Sequence, residues 1–156
     1  MKLRKWLENW DLKKLSISAG FLDMDWEPQT ADQDAAWELY VEMLTRVVTQ
    51  PLEDNAGDEK TALNSVYKLF DITREILRHR GRDCVQFSKI AVIVLNQILR
   101  PFTAKWHKRL LSGDLDRPEV QVEFRLELEV LQLQLREYTK TLARIADVED
   151  ISDLAF

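Results

Sequence analysis

The chain has 156 residues, of which 46% are hydrophobic and 31% charged, and its formal net charge at pH 7 is −5. Together with only four glycines and four prolines, this composition excludes the collagen-like, low-complexity and wholly disordered classes of protein. A chain of this length buries roughly 68–70% of the surface that its unfolded form exposes. We therefore expect one soluble globular domain with an N-terminal arm.

A single cysteine, Cys84, allows no disulfide within the chain and indicates a reducing compartment, for which the cytoplasm is the default. The basic start of the chain meets Glu8 and Asp11 before any apolar run reaches signal-peptide length. The longest uninterrupted apolar run, 90–95, is far shorter than the ~20 residues of a membrane-spanning helix. The sequence therefore predicts a cytoplasmic protein with no membrane span.

Residues 1–30 are predicted to form an N-terminal arm. The first ten residues carry the apolar face of a short amphipathic helix, composed of Leu3, Trp6, Leu7 and Trp10. Apolar and polar residues then alternate in opposite phases on the two sides of Gly20, a pattern typical of extended chain. This alternation predicts either a short β-hairpin or an extended arm.

The first long helix is predicted between residues 31 and about 50, where apolar residues recur with a helical period. Thr30 and Gln33 have the spacing of a capping box, and Pro51 cannot continue a helix. The apolar face that should pack against the bundle consists of Ala36, Trp37, Tyr40, Leu44, Val47 and Val48.

Glycine and proline divide the middle of the chain into further helices. A helix over 59–80 is expected to stop at Gly81. The block 84–99 is apolar on all sides, which predicts a helix at the centre of the fold, although its β-branched residues leave a buried strand as an alternative. Pro101 either kinks this helix or opens a new one over 102–111.

The last block, 118–147, fits two patterns. Apolar and polar residues alternate between 120 and 130 as they do in a strand. A helical seam fits better, because it holds its spacing for three heptads whereas the alternation breaks after 130. The seam consists of Phe124, Leu128, Leu131, Leu135, Tyr138, Leu142 and Ile145. We predict an all-α bundle of four to five helices over 31–147, followed by an acidic tail over 148–156.

A second apolar row lies beside the seam, on the N-terminal half of the last helix. It consists of Val122, Leu126, Val130 and Leu133. Two apolar faces on one half of a helix indicate that this half is sandwiched, because large exposed apolar patches are uncommon on monomers. Either the N-terminal arm or another chain could cover the second row. We expect another chain, in a two-fold homodimer or in a heteromeric complex.

Charge is segregated along the chain. Residues 72–109 hold nine Lys or Arg against two acids, a net of +7, while the remainder holds 13 basic and 25 acidic residues, a net of −12. This basic middle predicts a surface for an anionic partner, either nucleic-acid phosphates or an acidic protein face. The alternative is that the cations face the chain's own acids or water. The predicted binding surface comprises Arg78, Arg80, Arg82, Arg100, Lys105, Trp106, Lys108 and Arg109, with Trp106 and Phe102 positioned for stacking.

Two Arg-to-His spacings fall in the same basic segment. Arg74 precedes His79 with four residues between them, and Arg100 precedes His107 with six. This spacing resembles the Arg-x4–6-His signature of all-α ribonucleases of the HEPN type. The resemblance implies a dimeric ribonuclease, such as a toxin or defence effector, in which histidine is the general acid or base and arginine stabilises the phosphorane. Pro101 follows Arg100 where that signature usually has a polar residue.

Metal and cofactor sites are not expected. Two histidines and one cysteine, widely separated, cannot assemble a structural zinc site, and four isolated glycines do not form a phosphate-binding loop. The sequence therefore predicts, as the main function, a non-catalytic interaction or adaptor subunit that binds through its basic middle and its last helix. The alternatives are the HEPN-like ribonuclease and a small nucleic-acid-binding subunit.

Overall fold

The computed structural model describes residues 1–46 and 58–155. Of these residues 76% are helical, and no strand occurs among them. The helices are α1 (Leu3–Trp6), α2 (Ala19–Leu22), α3 (Thr30–Leu44), α4 (Glu59–Arg80), α5 (Val85–Ile93), α6 (Arg100–Leu111) and α7 (Pro118–Ala146). A π-helical turn, Val94–Leu99, joins α5 to α6. The predicted all-α bundle is confirmed.

Helix α7 is the main packing surface of the bundle. It packs most extensively against α3, and α3 also contacts α4 and α5. The side of α7 that faces the core is the predicted heptad seam, every member of which is buried: Phe124, Leu128, Leu131, Leu135, Tyr138, Leu142 and Ile145. The alternating pattern between 120 and 130 therefore lies in a helix, because the seam supplies one continuous apolar face that a strand would break.

The bounds of α4 agree with the sequence prediction. Asp58 caps the first turn by accepting a hydrogen bond from the Thr61 N–H. Gly81 ends the helix with φ at 71°, a conformation that glycine adopts without steric cost. Helix α3, in contrast, ends at Leu44 rather than near residue 50. The predicted stop at Pro51 and the apolar residues Val47 and Val48 lie outside the described residues.

The N-terminus of α3 is capped differently from the prediction. The capping pair is Gln29 with Asp32, whose Oδ2 accepts the Gln29 N–H at 2.8 Å, and not Thr30 with Gln33. The other carboxylate oxygen of Asp32 accepts the N–H of Phe87 at 2.8 Å. Because Phe87 lies in the first turn of α5, one fully buried carboxylate caps two helices.

Pro101 lies inside a continuous helical segment. Proline has no N–H, so the backbone at this point cannot form the usual hydrogen bond to the carbonyl four residues earlier. The turn before it widens instead, and the N–H of Arg100 reaches back five residues to the carbonyl of Leu95. The strand alternative for 84–99 is wrong, because Val85–Ile93 is α-helical and Val94–Leu99 is π-helical.

The N-terminal arm contains no β-hairpin. It forms one isolated antiparallel bridge, between Lys2 and Asp25, where the N–H of Leu3 donates to the Met24 carbonyl. Leu3, Leu7 and Trp26 are buried and belong to the same core as the bundle. The arm therefore folds into short helices α1 and α2 because its apolar residues pack on the bundle, which leaves no partner strand for a hairpin.

The hydroxyls of two core tyrosines, Tyr40 and Tyr138, differ in their hydrogen-bond partners. The Tyr40 hydroxyl donates to Asp150 at 3.1 Å and accepts the N–H of Ile151 at 2.8 Å, which attaches the C-terminal segment to α3. The Tyr138 hydroxyl is buried and has no hydrogen-bond partner among the described residues. Its burial raises the pKa of Tyr138 far above the usual range.

Tyr138→Phe is expected to raise the free energy of unfolding by about 1 kcal/mol, because it removes a buried hydroxyl without a partner. Tyr40→Phe is the matched control and should lower the free energy of unfolding by about 1 kcal/mol, because it leaves the Ile151 N–H unsatisfied. Urea unfolding of the two variants and the parent checks both signs. A loss of stability in Tyr138→Phe as large as that in Tyr40→Phe would contradict the prediction.

Candidate functional site

The second apolar row of α7 faces solvent. Its four members, which we call the α7 row, are 58–60% exposed: Val122, Leu126, Val130 and Leu133. The N-terminal arm contacts α7 further along the helix, where Trp10 Nε1 donates to the Thr141 hydroxyl at 3.2 Å. The arm therefore leaves the α7 row uncovered.

Two hollows border the α7 row. One has a volume of about 520 Å³ and lies between α6 and α7, over Pro101, Phe102 and Leu131. The other has a volume of about 240 Å³ and lies against the arm, beside Trp10 and Leu15. Both hollows share three lining residues, Ile98, Val130 and Gln134. The face of α7 thus combines an exposed aliphatic ridge with concave apolar surface next to it.

Charge changes sign along α7. Residues 118–132 contain four glutamates and one cation, Arg125, whereas residues 133–146 contain three cations and one acid, Glu137. This order matches the helix dipole, which favours acids at the N-terminus and bases at the C-terminus. A second helix that ran antiparallel to α7 with the same sequence would place opposite charges side by side.

Much of the predicted basic surface is neutralised by the chain's own acids. Arg80 pairs with Glu38 and, at 3.5 Å, with Asp34 of α3. Lys105 pairs with Glu127 and, at 3.0 Å, with Glu123. The hydrogen bonds that Lys105 donates to Glu127 and then to Glu123 raise the pKa of Lys105. Arg80 and Lys105 therefore agree with the alternative that cations of the basic segment pair with the chain's own acids.

Arg109 belongs to the same network on α6 and α7. Its Nη1 donates to Glu123 at 2.7 Å, and its Nε lies 3.6 Å from Asp114. The hydrogen bond from Arg109, followed by the one from Lys105, lowers the pKa of Glu123. Arg109 therefore joins α6 to α7 and to the loop between them.

Trp106 is not a surface residue, so its predicted stacking role is wrong. The side chain is completely buried. Its ring meets that of Phe124 edge-on with centroids 5.1 Å apart, and its Nε1 donates to Glu127 at 2.9 Å. Phe102, the other predicted stacking residue, is also buried, at 8% exposure. Both rings are used to hold α6 on α7.

The remaining predicted binding residues are exposed. They are Arg78, Arg82, Arg100 and Lys108. Within 1–46 and 58–155, none of the four forms an ion pair, and Arg100 donates to the side chain of Asn96 at 3.1 Å. The predicted surface thus divides into cations neutralised by acids of α3 and α7 and a set of exposed cations without an ion pair among the described residues.

Two arginines converge on one aromatic ring between α4 and α6. The guanidinium carbons of Arg74 and Arg100 lie 5.5 and 5.3 Å from the ring centroid of Phe70. They border a hollow of about 280 Å³ together with Tyr67 and Asp71. We call this hollow the α4–α6 groove. Sequence reasoning missed the pair because the two arginines belong to different helices.

The two Arg-to-His pairs differ in whether the structure places both residues on the same side of their helix. His79 lines a separate hollow between α3 and α4, beside Trp37, and so lies on another side of α4 from Arg74. His107 lies on the same side of α6 as Arg100, and its ring meets that of Tyr67 edge-on at 5.7 Å. The first predicted catalytic pair is therefore separated, whereas the second shares one face.

The hollow between α3 and α4 was not predicted. It has a volume of about 540 Å³ and is lined by apolar and acidic side chains, among them Val41, Ile72 and Glu75. Trp37, which was expected on the packed face of α3, lines this hollow instead and is 48% exposed. The helical period alone could not show that Trp37 is exposed. The side of α3 that packs on the core is formed by Ala35, Ala36, Leu39 and Tyr40.

No helix in the part of the chain that the structure describes is long and apolar enough to cross a membrane. Across these described residues, no three His, Cys, Asp or Glu side chains are grouped so that they could hold a metal ion. Comparison of the chain with protein-family models, with curated proteins and with solved structures finds no match.

Proposed function

We propose that this protein is a non-catalytic interaction subunit that associates with a second copy of itself through the α7 row. The observation that carries the proposal is the exposure of four aliphatic side chains, at 58–60% each, along one face of a helix that is already fully packed on its other face. Leaving such a row in water is costly, at about 25 cal/mol per Å² of apolar surface. A partner that covers the row removes this cost.

A second copy fits the shape of this surface. Under a two-fold axis the same patch is used on both subunits, so a patch must complement itself. The α7 row is a ridge, and the hollow over Pro101 and Phe102 lies directly beside it. A two-fold axis near Leu126 and Val130 places the ridge of each subunit against the hollow of the other.

Charge supports the same arrangement. An antiparallel pair of α7 helices about this axis brings Glu119, in the first turn of one helix, close to Arg136 of the other. Opposite charges at the edge of an interface favour the correct pairing and disfavour a parallel one. The exposed face of α7 is thus complementary to itself in shape and in charge.

Leu126→Glu combined with Leu133→Glu is expected to abolish self-association, raising the dimer dissociation constant roughly 100-fold or more, because two carboxylates would be buried against apolar surface. Sedimentation velocity over a range of concentrations measures this. The matched control is Val85→Glu with Leu111→Glu, which makes the same charge change at aliphatic positions that are 51% and 74% exposed and lie outside the row. The control should remain dimeric.

A parent protein that stays monomeric at about 50 µM would overturn the assignment to a second copy. Equal dissociation of the row variant and the control would overturn the assignment to α7. Circular dichroism establishes that both double variants keep the helical content of the parent, so that loss of folding is not taken for loss of association.

A further inference from the structure

We propose that the α4–α6 groove binds the phosphodiester backbone of a single-stranded nucleic acid. This site lies outside the α7 row and does not depend on self-association. The groove is formed where α4 packs against α6, and it is lined by one arginine from each helix and by the rings of Tyr67 and Phe70 from α4. Proteins that bind single-stranded nucleic acids usually combine cations that neutralise the phosphates with aromatic rings on which the bases stack.

The cationic end of the groove contains two guanidiniums. Arg74 and Arg100 are both exposed, and both lie over the ring of Phe70, at 5.5 and 5.3 Å. The ring restricts the two long side chains, so less conformational entropy is lost when they bind an anion. A guanidinium presents paired N–H donors that match the oxygens of a phosphate.

The charges around these arginines leave them free to bind. Arg74 faces one acid, Asp71, at 3.5 Å, in a pair whose carboxylate side chain is 83% exposed. Exposed pairs of this kind are weak because water and salt screen both charges, so a phosphate can displace the carboxylate. Arg100 has an amide partner, Asn96, and no ion pair within the described residues. This contrasts with Lys105 and Arg109, which are held by glutamates of α7.

The aromatic end of the groove lies further along α6. Tyr67 is fixed by its hydroxyl, which donates to the Thr103 carbonyl at 3.2 Å, and its ring meets the exposed His107 edge-on at 5.7 Å. His107 is seven residues from Arg100, a distance of about 10 Å along the helix. Phosphates at the arginines and a base against His107 can therefore belong to the same strand.

Aromatic rings decide between a nucleic acid and an acidic protein segment. A carboxylate ligand would use the two arginines alone, whereas a nucleic acid uses the arginines together with His107 and Tyr67. The groove also lies within a chain of net charge −5. Local geometry, rather than overall attraction, must therefore supply the affinity, and this makes the site testable by single substitutions.

The test measures fluorescence anisotropy of labelled oligouridylate and oligothymidylate of about 12 nucleotides each. Arg74→Gln with Arg100→Gln is expected to weaken binding at least 10-fold and to reduce the slope of log K against log salt by about 1.4, since each phosphate contact on a single strand contributes about 0.7. His107→Ala should weaken binding about five-fold through lost stacking. Asp71→Asn should tighten it, because a carboxylate that competes with phosphate is removed.

The matched control is Lys13→Gln with Lys60→Gln, which removes the same charge from two exposed positions outside the groove. It should change the affinity less than about three-fold, because distant exposed charges are screened. Equal losses in the groove variant and the control would overturn the proposal. So would a dissociation constant above about 1 mM for both oligonucleotides with the parent protein.

A competition experiment compares polyglutamate with unlabelled oligouridylate. If polyglutamate displaced the labelled strand equally well, the proposal would be overturned in favour of an acidic protein partner. Comparing the two oligonucleotides tells RNA from DNA as the source of the backbone. If the double arginine variant lost its fold, His107→Ala and Asp71→Asn would still decide, because their expected effects have opposite signs. Sedimentation of the groove variants should remain that of the parent, which separates this site from the α7 row.

Discussion

Asp32→Ala is expected to lower the free energy of unfolding by about 3 kcal/mol, since it leaves two N–H groups at helix starts without an acceptor. These are the N–H of Gln29, before α3, and of Phe87, in the first turn of α5. Cys84, at the start of α5, supplies no capping side chain. Asp32 is therefore the group that caps α5, from a position 55 residues earlier in the chain.

A loss of this size is a large fraction of the total stability of a domain, which is about 5–15 kcal/mol. Asp32→Asn should lose roughly half as much, because its amide keeps one acceptor oxygen. Asp34→Ala is the control: this exposed carboxylate lies 3.5 Å from Arg80, and removing it should cost less than about 1 kcal/mol. Urea unfolding followed by circular dichroism gives all three values. If the Asp32→Ala and Asp34→Ala variants had the same free energy of unfolding, the capping role of Asp32 would be contradicted.

Trp106→Ala is expected to lower the free energy of unfolding by about 4 kcal/mol, as large-to-small substitutions of buried tryptophan do. The indole is completely buried between α6 and α7 and contacts the rings of Phe102 and Phe124. Lys105 and Arg109 lie over it, at 5.0 and 5.2 Å from the ring. Removing the indole creates a cavity and also loosens the ion-pair network that those two cations form with α7.

Trp106→Phe separates packing from hydrogen bonding. It keeps an aromatic ring but loses the Nε1 bond to Glu127, so we expect a loss of about 2 kcal/mol. Trp37→Ala, at a position that is 48% exposed, should cost less than about 1 kcal/mol and is the control. Thermal unfolding measures the series. If Trp106→Ala kept the stability of the parent and instead lost partner binding, Trp106 would be a binding residue after all.

What the sequence by itself determined was local. The bounds of α4 follow from Asp58 and Gly81, because an N-cap and a glycine with positive φ act within one helical turn. The buried seam of α7 follows from a spacing that repeats along one helix, so burial of one face is implied as soon as the helix forms. The row that includes Leu126 was likewise visible as a second face, and the structure leaves it exposed.

What only the tertiary structure decided depended on which helices are neighbours. The basic character of 72–109 predicted one surface, but Lys105 pairs with glutamates of α7 whereas Arg100 lies over the ring of Phe70 on α4. Trp106 is buried and Trp37 is exposed, although both lie on amphipathic helices. Hydrophobicity and charge are properties of single residues, while burial and ion pairing are properties of pairs. Pairs far apart in sequence form only when the helices pack, because long-range contacts depend on the whole arrangement of apolar faces.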